Sequence, residues 1–406
     1  MAIATDGAAV MLGRKKGVVT LLKSKFPKIL FWHCANHRLE LSVSDVINKD
    51  FPSQVNHFKS FIDKLYTLYH QSPKNGRELK CHAEQLNSEI LRIGRILDTR
   101  WVASSFRSVS AVWRNFEALV AHFKSAKVDE NRDRTERSFY EGLLRKITNI
   151  DFILDLALMC DVLQELAELS TELQARDITL YSAHRKITNQ LKLFDERKTN
   201  MGLYYLEALK AEKGLDLKGV SLENGARYRQ GNRIDPVKFY DSLKARMESR
   251  LLAREDAEIP QWAKVLDCKT WPDNPPLTFG ETEIMNLCER FGLPERQIVR
   301  GFREYLSEKK IPSSLMPLLN AINNIPISTS ECERGFSQMN LIVTPTRASL
   351  QLSTVANLMF IKLVGPPVSM FKPSVYVNSW FLKGRHLATD TKSKKRNRED
   401  DSEHMK

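Results

Sequence analysis

The sequence predicts a mixed α/β first part followed by a long helical middle, and three observations predict it. Residues 1–5 (MAIAT) and 29–34 (ILFWHC) are short apolar runs, the second rich in branched and aromatic residues, as strands are. From about residue 54, apolar positions recur at three- and four-residue steps, which mark one helical face. Between them lie turn signals, beginning with Asp6-Gly7.

Taken in order, the elements read as follows. The strand at 29–34 passes into a helix carrying Leu39, Leu41, Val43 and Val46. Another helix carries Phe58, Phe61, Ile62, Leu65, Leu68 and Tyr69 on one side. Residues 93–97 are a third strand candidate, leading into a helix over 103–125. Residues 126–315 are mainly helical, with helices expected over 150–173, 183–194 and 202–213. The pattern weakens over 216–235 and again around Pro272, Pro275 and Pro276. Residues 316–372 are patterned again, with an apolar helix over 350–364. The tail beyond 372 is extended, and 391–406 is a basic run followed by acids, expected to be disordered. The domains are therefore 1–125, 126–315, 316–372 and 373–406.

Composition narrows the function. The 406 residues hold 62 Lys and Arg against 49 Asp and Glu, a net charge of +13, which favours a polyanionic partner such as nucleic acid. Residues 391–406 carry six of the cations and four of the acids, so +11 resides on the body. No apolar run reaches the roughly 18 residues a membrane helix needs. The six cysteines are scattered without a CxxC pair, which fits reduced thiols in a cytosolic or nuclear protein. The first seven residues enter directly on a strand and its turn, so the chain is expected to begin inside a domain.

Several residues could carry chemistry. Asp6, just past a strand, is placed to hold Mg²⁺, or simply to make a turn whose glycine has positive φ. Cys34 and His37 form a CxxH, two ligands where a closed zinc site needs four. Trp101, beside Arg100, is a stacking platform for a base or a core tryptophan. Ser330 and Glu333 fit a capping box, with a metal-binding glutamate as the other reading. The run from Lys392 to Arg398 fits a nuclear-localisation or phosphate-binding patch, or a solubilising tail.

The order of these segments resembles the hAT superfamily of DNA transposases and its domesticated, transposon-derived relatives. The segments are TDGAAVM at 5–11, HCANHRLEL at 33–41, TRW at 99–101 and STSECERGFS at 328–337. The block at 328–367 resembles the family's C-terminal dimerisation region. The resemblance implies an RNase H-like core interrupted by a large all-helical insertion and incomplete at its N-terminus. It implies that Asp6 and Glu333, with Glu331 a poorer candidate, are two of three acids binding Mg²⁺ for two-metal strand cleavage. Cys34 and His37 match the family's CxxH, and Trp101 its base-stacking tryptophan. The first acid and the family's zinc-finger domain have no counterpart in these residues. Asp6 and Glu333 are therefore expected to be vestigial, with no cofactor in this form.

The function expected is that of a nuclear, non-catalytic protein. It would associate with itself or a related hAT-type chain through Phe336, Leu350, Val355, Leu358 and Met359. DNA contact would run through Arg100, Trp101, Arg14, Lys15 and Lys16, with no membrane partner. An active or truncated transposase and a transposon-derived SUMO ligase are the other readings.

Overall fold

The computed structural model describes residues 2–96, 101–224, 233–252 and 258–382. The chain divides into two compact units, Met1–Ser330 and Glu331–Lys406. The first opens with β1 (Ala2–Thr5) and β2 (Leu30–His33), paired in parallel with Ala2 opposite Leu30 and Thr5 opposite His33. Parallel neighbours require a crossover. It is supplied by α1 (Ala9–Leu12) and α2 (Val18–Lys25).

The expected α/β, RNase H-like core is overturned. Helix makes up 72% and strand 4% of the structure, with two small sheets among the described residues. The second is the two-residue hairpin of β3 (Asp216–Leu217) and β4 (Val220–Ser221). Two paired strands cannot make a sheet with helices layered on both faces. The strand expected over 93–97 illustrates why. Residues 91–96 are irregular, and Leu97 lies outside the described residues. Side chains take up the backbone groups of this segment where a ladder would have been. Asn115 accepts from the Leu91 N–H at 3.0 Å and donates to its carbonyl at 2.6 Å, while the Ser108 hydroxyl donates to the Gly94 carbonyl at 2.9 Å. Branched residues alone do not make a strand when no neighbouring edge is offered.

The rest of the first unit is helical. After β2 come α3 (Ala35–Asp45), α4 (Pro52–Gln71) and α5 (Pro73–Gln85), the last two each beginning with a proline that needs no N–H there. The single helix expected over 103–125 is two, α6 (Trp101–Arg114) and α7 (Phe116–Ala126), parted at Asn115. Next are α8 (Arg134–Ile147), capped by Asp133, and α9 (Ile150–Leu173), capped by Asn149. α10 (Leu180–Arg197) starts with a capping box of Thr179 and Ser182. α11 (Leu203–Gly214), α12 (Pro236–Met247), α13 (Glu258–Ala263), α14 (Glu281–Phe291), α15 (Glu295–Glu308) and α16 (Met316–Asn323) complete the unit.

α9 is its axis. From Phe152 to Leu163 every residue of the helix is buried, and α3, α4, α6, α8, α10 and α11 pack about it. Two acids are buried within it, and both hold backbone. Asp155 Oδ1 accepts from the Ile234 N–H at 2.9 Å. The Asp161 carboxylate accepts from the N–H groups of Tyr204 at 3.2 Å and Tyr205 at 2.8 Å, so α9 caps the start of α11. Gly202 lies against that carboxylate, and a Cβ there would overlap it. Gly202→Ala is therefore expected to cost about 2 kcal/mol, as overpacking of a tight site does, in a urea titration. A variant with unchanged midpoint would show that α11 can shift without losing its cap.

The second unit contains α17 (Ser330–Ile342), α18 (Leu352–Val364) and α19 (Pro373–Leu382), the last a helix where the sequence predicts an extended tail beyond 372. No helix among the described residues is long and apolar enough to cross a membrane.

Candidate functional site

Where β1 and β2 end, their loops bring together Asp6, His33, Cys34, His37 and Arg38. Asp6 is exposed, and its Oδ1 accepts from the Ala8 N–H at 3.2 Å, closing a turn. Gly7 does not have the positive φ that the Asp-Gly reading expects. Its requirement is close approach. A Cβ at residue 7 would lie 3.0 Å from His33 Cε1 and 3.4 Å from His37 Nε2. The two imidazoles sit with ring centres 5.5 Å apart.

Cys34 and His37 do not share a centre. The Cys34 thiol is buried and accepts from the N–H and hydroxyl of Thr329 at 3.3 and 3.4 Å. The backbone is stitched at the same point. The Cys34 N–H reaches the Thr5 carbonyl and the Ala35 N–H the Ile327 carbonyl, both at 2.9 Å. Asn36 accepts from the Ser170 hydroxyl at 2.6 Å. The CxxH thus ties β1, β2, α9 and residues 327–330 into one corner. Glu40, in the same motif, accepts from the Val102 N–H at 3.1 Å, close to the start of α6. Among the described residues no group of three His, Cys, Asp or Glu side chains is placed to hold a metal ion.

The corner holds groups of both signs, Arg38 and Arg250 beside Asp6 and Asp45. Burial, with the charges of Arg38 and His37, brings His33 down to about 4 against the pull of Asp6. The imidazole is therefore neutral at physiological pH, able to accept or donate a hydrogen bond but adding no charge. Permanent charge comes from Arg38 and Arg250, each repelling His33. Burial and the neighbouring Arg250 also lower Arg38. Arg250 is held by Asp45 at 2.5 Å. Beyond the turn, Arg14, Lys15 and Lys16 are exposed between α1 and α2. Residues 7–39 carry seven Lys and Arg and no Asp or Glu. A surface of this kind attracts anions through its field, without sequence preference.

The other expected residues lie elsewhere. Trp101 begins α6 with 4% of its surface exposed, inside the core, so its indole face is not offered to a base. Arg100 and residues 391–406 lie outside the described residues. Glu333 belongs to α17 in the second unit, where it is exposed. In the same helix Arg334 pairs with Glu331 at 2.5 Å. Of the expected dimerisation residues, Phe336 is exposed, Leu350, Leu358 and Met359 are half-buried, and Val355 is buried.

Sequence reasoning missed His33, Arg38 and Arg250. The first two stand inside HCANHRLEL, where adjacency to Asp6 across a parallel pair was the available signal. Arg250 is joined only by the tertiary fold. No family model and no solved structure matches the chain.

Proposed function

We propose that this chain is a nuclear association module, descended from a hAT-type transposase, that pairs with a second copy through its C-terminal unit and contacts DNA through its basic surface. The observation that supports it most is the apolar surface of α18 and α19. Leu352, Phe360, Ile361 and Val364 on α18 are 65–84% exposed, and Trp380 and Phe381 on α19 are about half exposed. Large apolar side chains left exposed together on a helix mark interaction surfaces. Leu358 and Met359 are half-buried, so the pairing surface is assigned to Phe360, Ile361 and Val364. DNA contact rests on the acid-free stretch 7–39 and calls for no fixed base sequence.

Light scattering at micromolar concentration tests the pairing. The wild type is expected to be dimeric. Phe360→Asp combined with Ile361→Asp, both at exposed positions that folding does not require, is expected to be monomeric. A monomeric wild type would sink the reading. So would divalent-metal-dependent DNA cleavage that Asp6→Ala abolishes, which would make the chain an enzyme.

A further inference from the structure

From the cavity between α4 and α8 we infer a binding site for a phosphate monoester, formed by His57, Ser60 and Lys64 on one helix and Ser138, Gly142 and Lys146 on the other. The cavity has a volume of about 270 Å³, and no Asp or Glu lines it among the described residues. Three basic residues and two hydroxyls, with Phe61, Phe139 and Leu143, therefore line one small groove, at which His57, Ser60, Lys64 and Ser138 are exposed. The basic residues and hydroxyls are the donor set a tetrahedral dianion needs, with several acceptor oxygens to satisfy at once. A carboxylate would leave part of it unused.

Three further features fit this occupant. The first is Gly142, in the interior of α8. Glycine is the least favourable helix residue short of proline, and nothing lies within 4 Å of where its Cβ would be. Packing does not require it; the position is exposed and leaves the groove open to solvent along α8. The second is the state of the cations. Burial lowers Lys146 to about 7, opposed by Asp155 of α9 and helped by Lys64; burial, Lys146 and Lys64 lower His57 as well. Lys146 is half-buried while His57 and Lys64 are exposed, so an entering anion gains most from Lys146. Lys146 Nζ stands 5.4 Å from the centre of the buried Phe152 ring of α9.

The third feature is the neighbouring cleft of about 670 Å³, which shares Ser60, Lys64 and Phe139 with the first. Asp63, Thr67, Gln71 and Ser72 also line it. Phosphate in the smaller space leaves the esterified group to pass over the exposed Phe139 ring into the larger one. The ester is either a free mononucleotide-sized molecule or the 5′-phosphate end of a DNA strand; the chemistry recognised is the same. The site uses neither α18 nor residues 7–39, so it stands independently of the proposed association.

Calorimetric titration of the full chain with inorganic phosphate at pH 6.5 tests the site. One saturable site is expected, with a dissociation constant of about 1 mM or tighter. Lys64→Gln, at an exposed position, is expected to weaken it about tenfold, the loss of one charge-assisted hydrogen bond. Gly142→Leu, which favours the helix and fills the cavity, is expected to abolish it. A second titration compares 5′-phosphorylated with 5′-hydroxyl oligonucleotide. A preference for the phosphorylated strand that Gly142→Leu removes identifies a DNA end as the source. Phosphate binding without that preference identifies a free ester. Absence of saturable phosphate binding up to about 10 mM, or binding that both variants leave unchanged, overturns the site.

Discussion

Replacing Arg132 with methionine is expected to lower the unfolding free energy by about 3 kcal/mol at pH 7.5, the usual cost of removing one partner from a buried ion pair. Arg132 lies between α7 and α8 and is 5% exposed. Its guanidinium donates to Tyr140 Oη at 3.1 Å, to Asn75 Oδ1 at 3.2 Å and to Glu78, and it stands 4.7 Å from the centre of the Tyr140 ring. Tyr140 in turn donates to Asn75 Oδ1 at 3.0 Å. On the other side of Glu78, His122 Nε2 approaches the carboxylate at 3.0 Å while His122 Nδ1 meets Tyr69 Oη at 2.8 Å. Four helices, α4, α5, α7 and α8, meet in this one network. Methionine keeps the packing volume but leaves Glu78, 30% exposed, without its main counter-charge.

A pH signature separates this loss from lost packing. Burial lowers His122, opposed by Glu78, with His82 and Arg132 lowering it further. A histidine depressed on folding is neutral in the native state while the unfolded chain takes up its proton, so its contribution to stability falls as pH drops below about 6.5. Without Arg132, a protonated His122 becomes the counter-ion of Glu78. The penalty of Arg132→Met is therefore expected to shrink at pH 5.5 in guanidinium titrations. A penalty below about 1 kcal/mol at pH 7.5 would mean that the network is satisfied without the charge.

How much of this was legible in the sequence depends on the distance over which each interaction acts. Helices were legible where one face repeats: Ile150–Leu173 has the bounds expected of it, and Leu180–Arg197 and Leu203–Gly214 lie within a few residues of theirs. The break at Asn115 was not, because its cause is a side chain turned back to Leu91, 24 residues earlier. Residues 93–97 misled for a related reason. Branched composition reports a segment's fitness for a sheet, and here Asn115 and Ser108 had already taken its backbone groups. In the candidate corner, the spacing of Cys34 and His37 suggested shared ligation. The thiol instead meets Thr329, a partner 295 residues away that no local pattern announces. The cationic cavity was half legible. His57, Ser60, Phe61 and Lys64 stand at i, i+3, i+4 and i+7, one face of α4. That α8 would set Gly142 and Lys146 opposite them is a property of the packing.

The largest pH effect is expected at Asp155. The carboxyl is 8% exposed in α9, and burial pushes it up to about 7, against the Ile234 N–H and the charge of Arg233. The folded state then holds a proton that the unfolded chain has released at any pH between about 4 and 7. Stability from this group is accordingly full below about pH 4 and lost as pH rises through 7. A tenfold change in the ionisation equilibrium corresponds to about 1.4 kcal/mol, so above pH 8 the ionised side chain costs the fold about 2–4 kcal/mol relative to a neutral one. Asparagine keeps an acceptor for the Ile234 N–H and carries no charge. Asp155→Asn is expected to be more stable than wild type by about 2 kcal/mol at pH 8.5 and equal to it at pH 4, which thermal denaturation across that range would measure. Lys146 moves with the opposite sign. Its depressed value means the folded state sheds a proton the unfolded chain keeps between about 7 and 10.5, so stability from it grows with pH there. Because Asp155 and Lys146 act on each other, the difference between the two curves reports the carboxyl together with its coupling to Lys146. A difference that is constant with pH would show that Asp155 ionises in the folded state as it does in the unfolded chain, and that α9 carries its buried charge without cost.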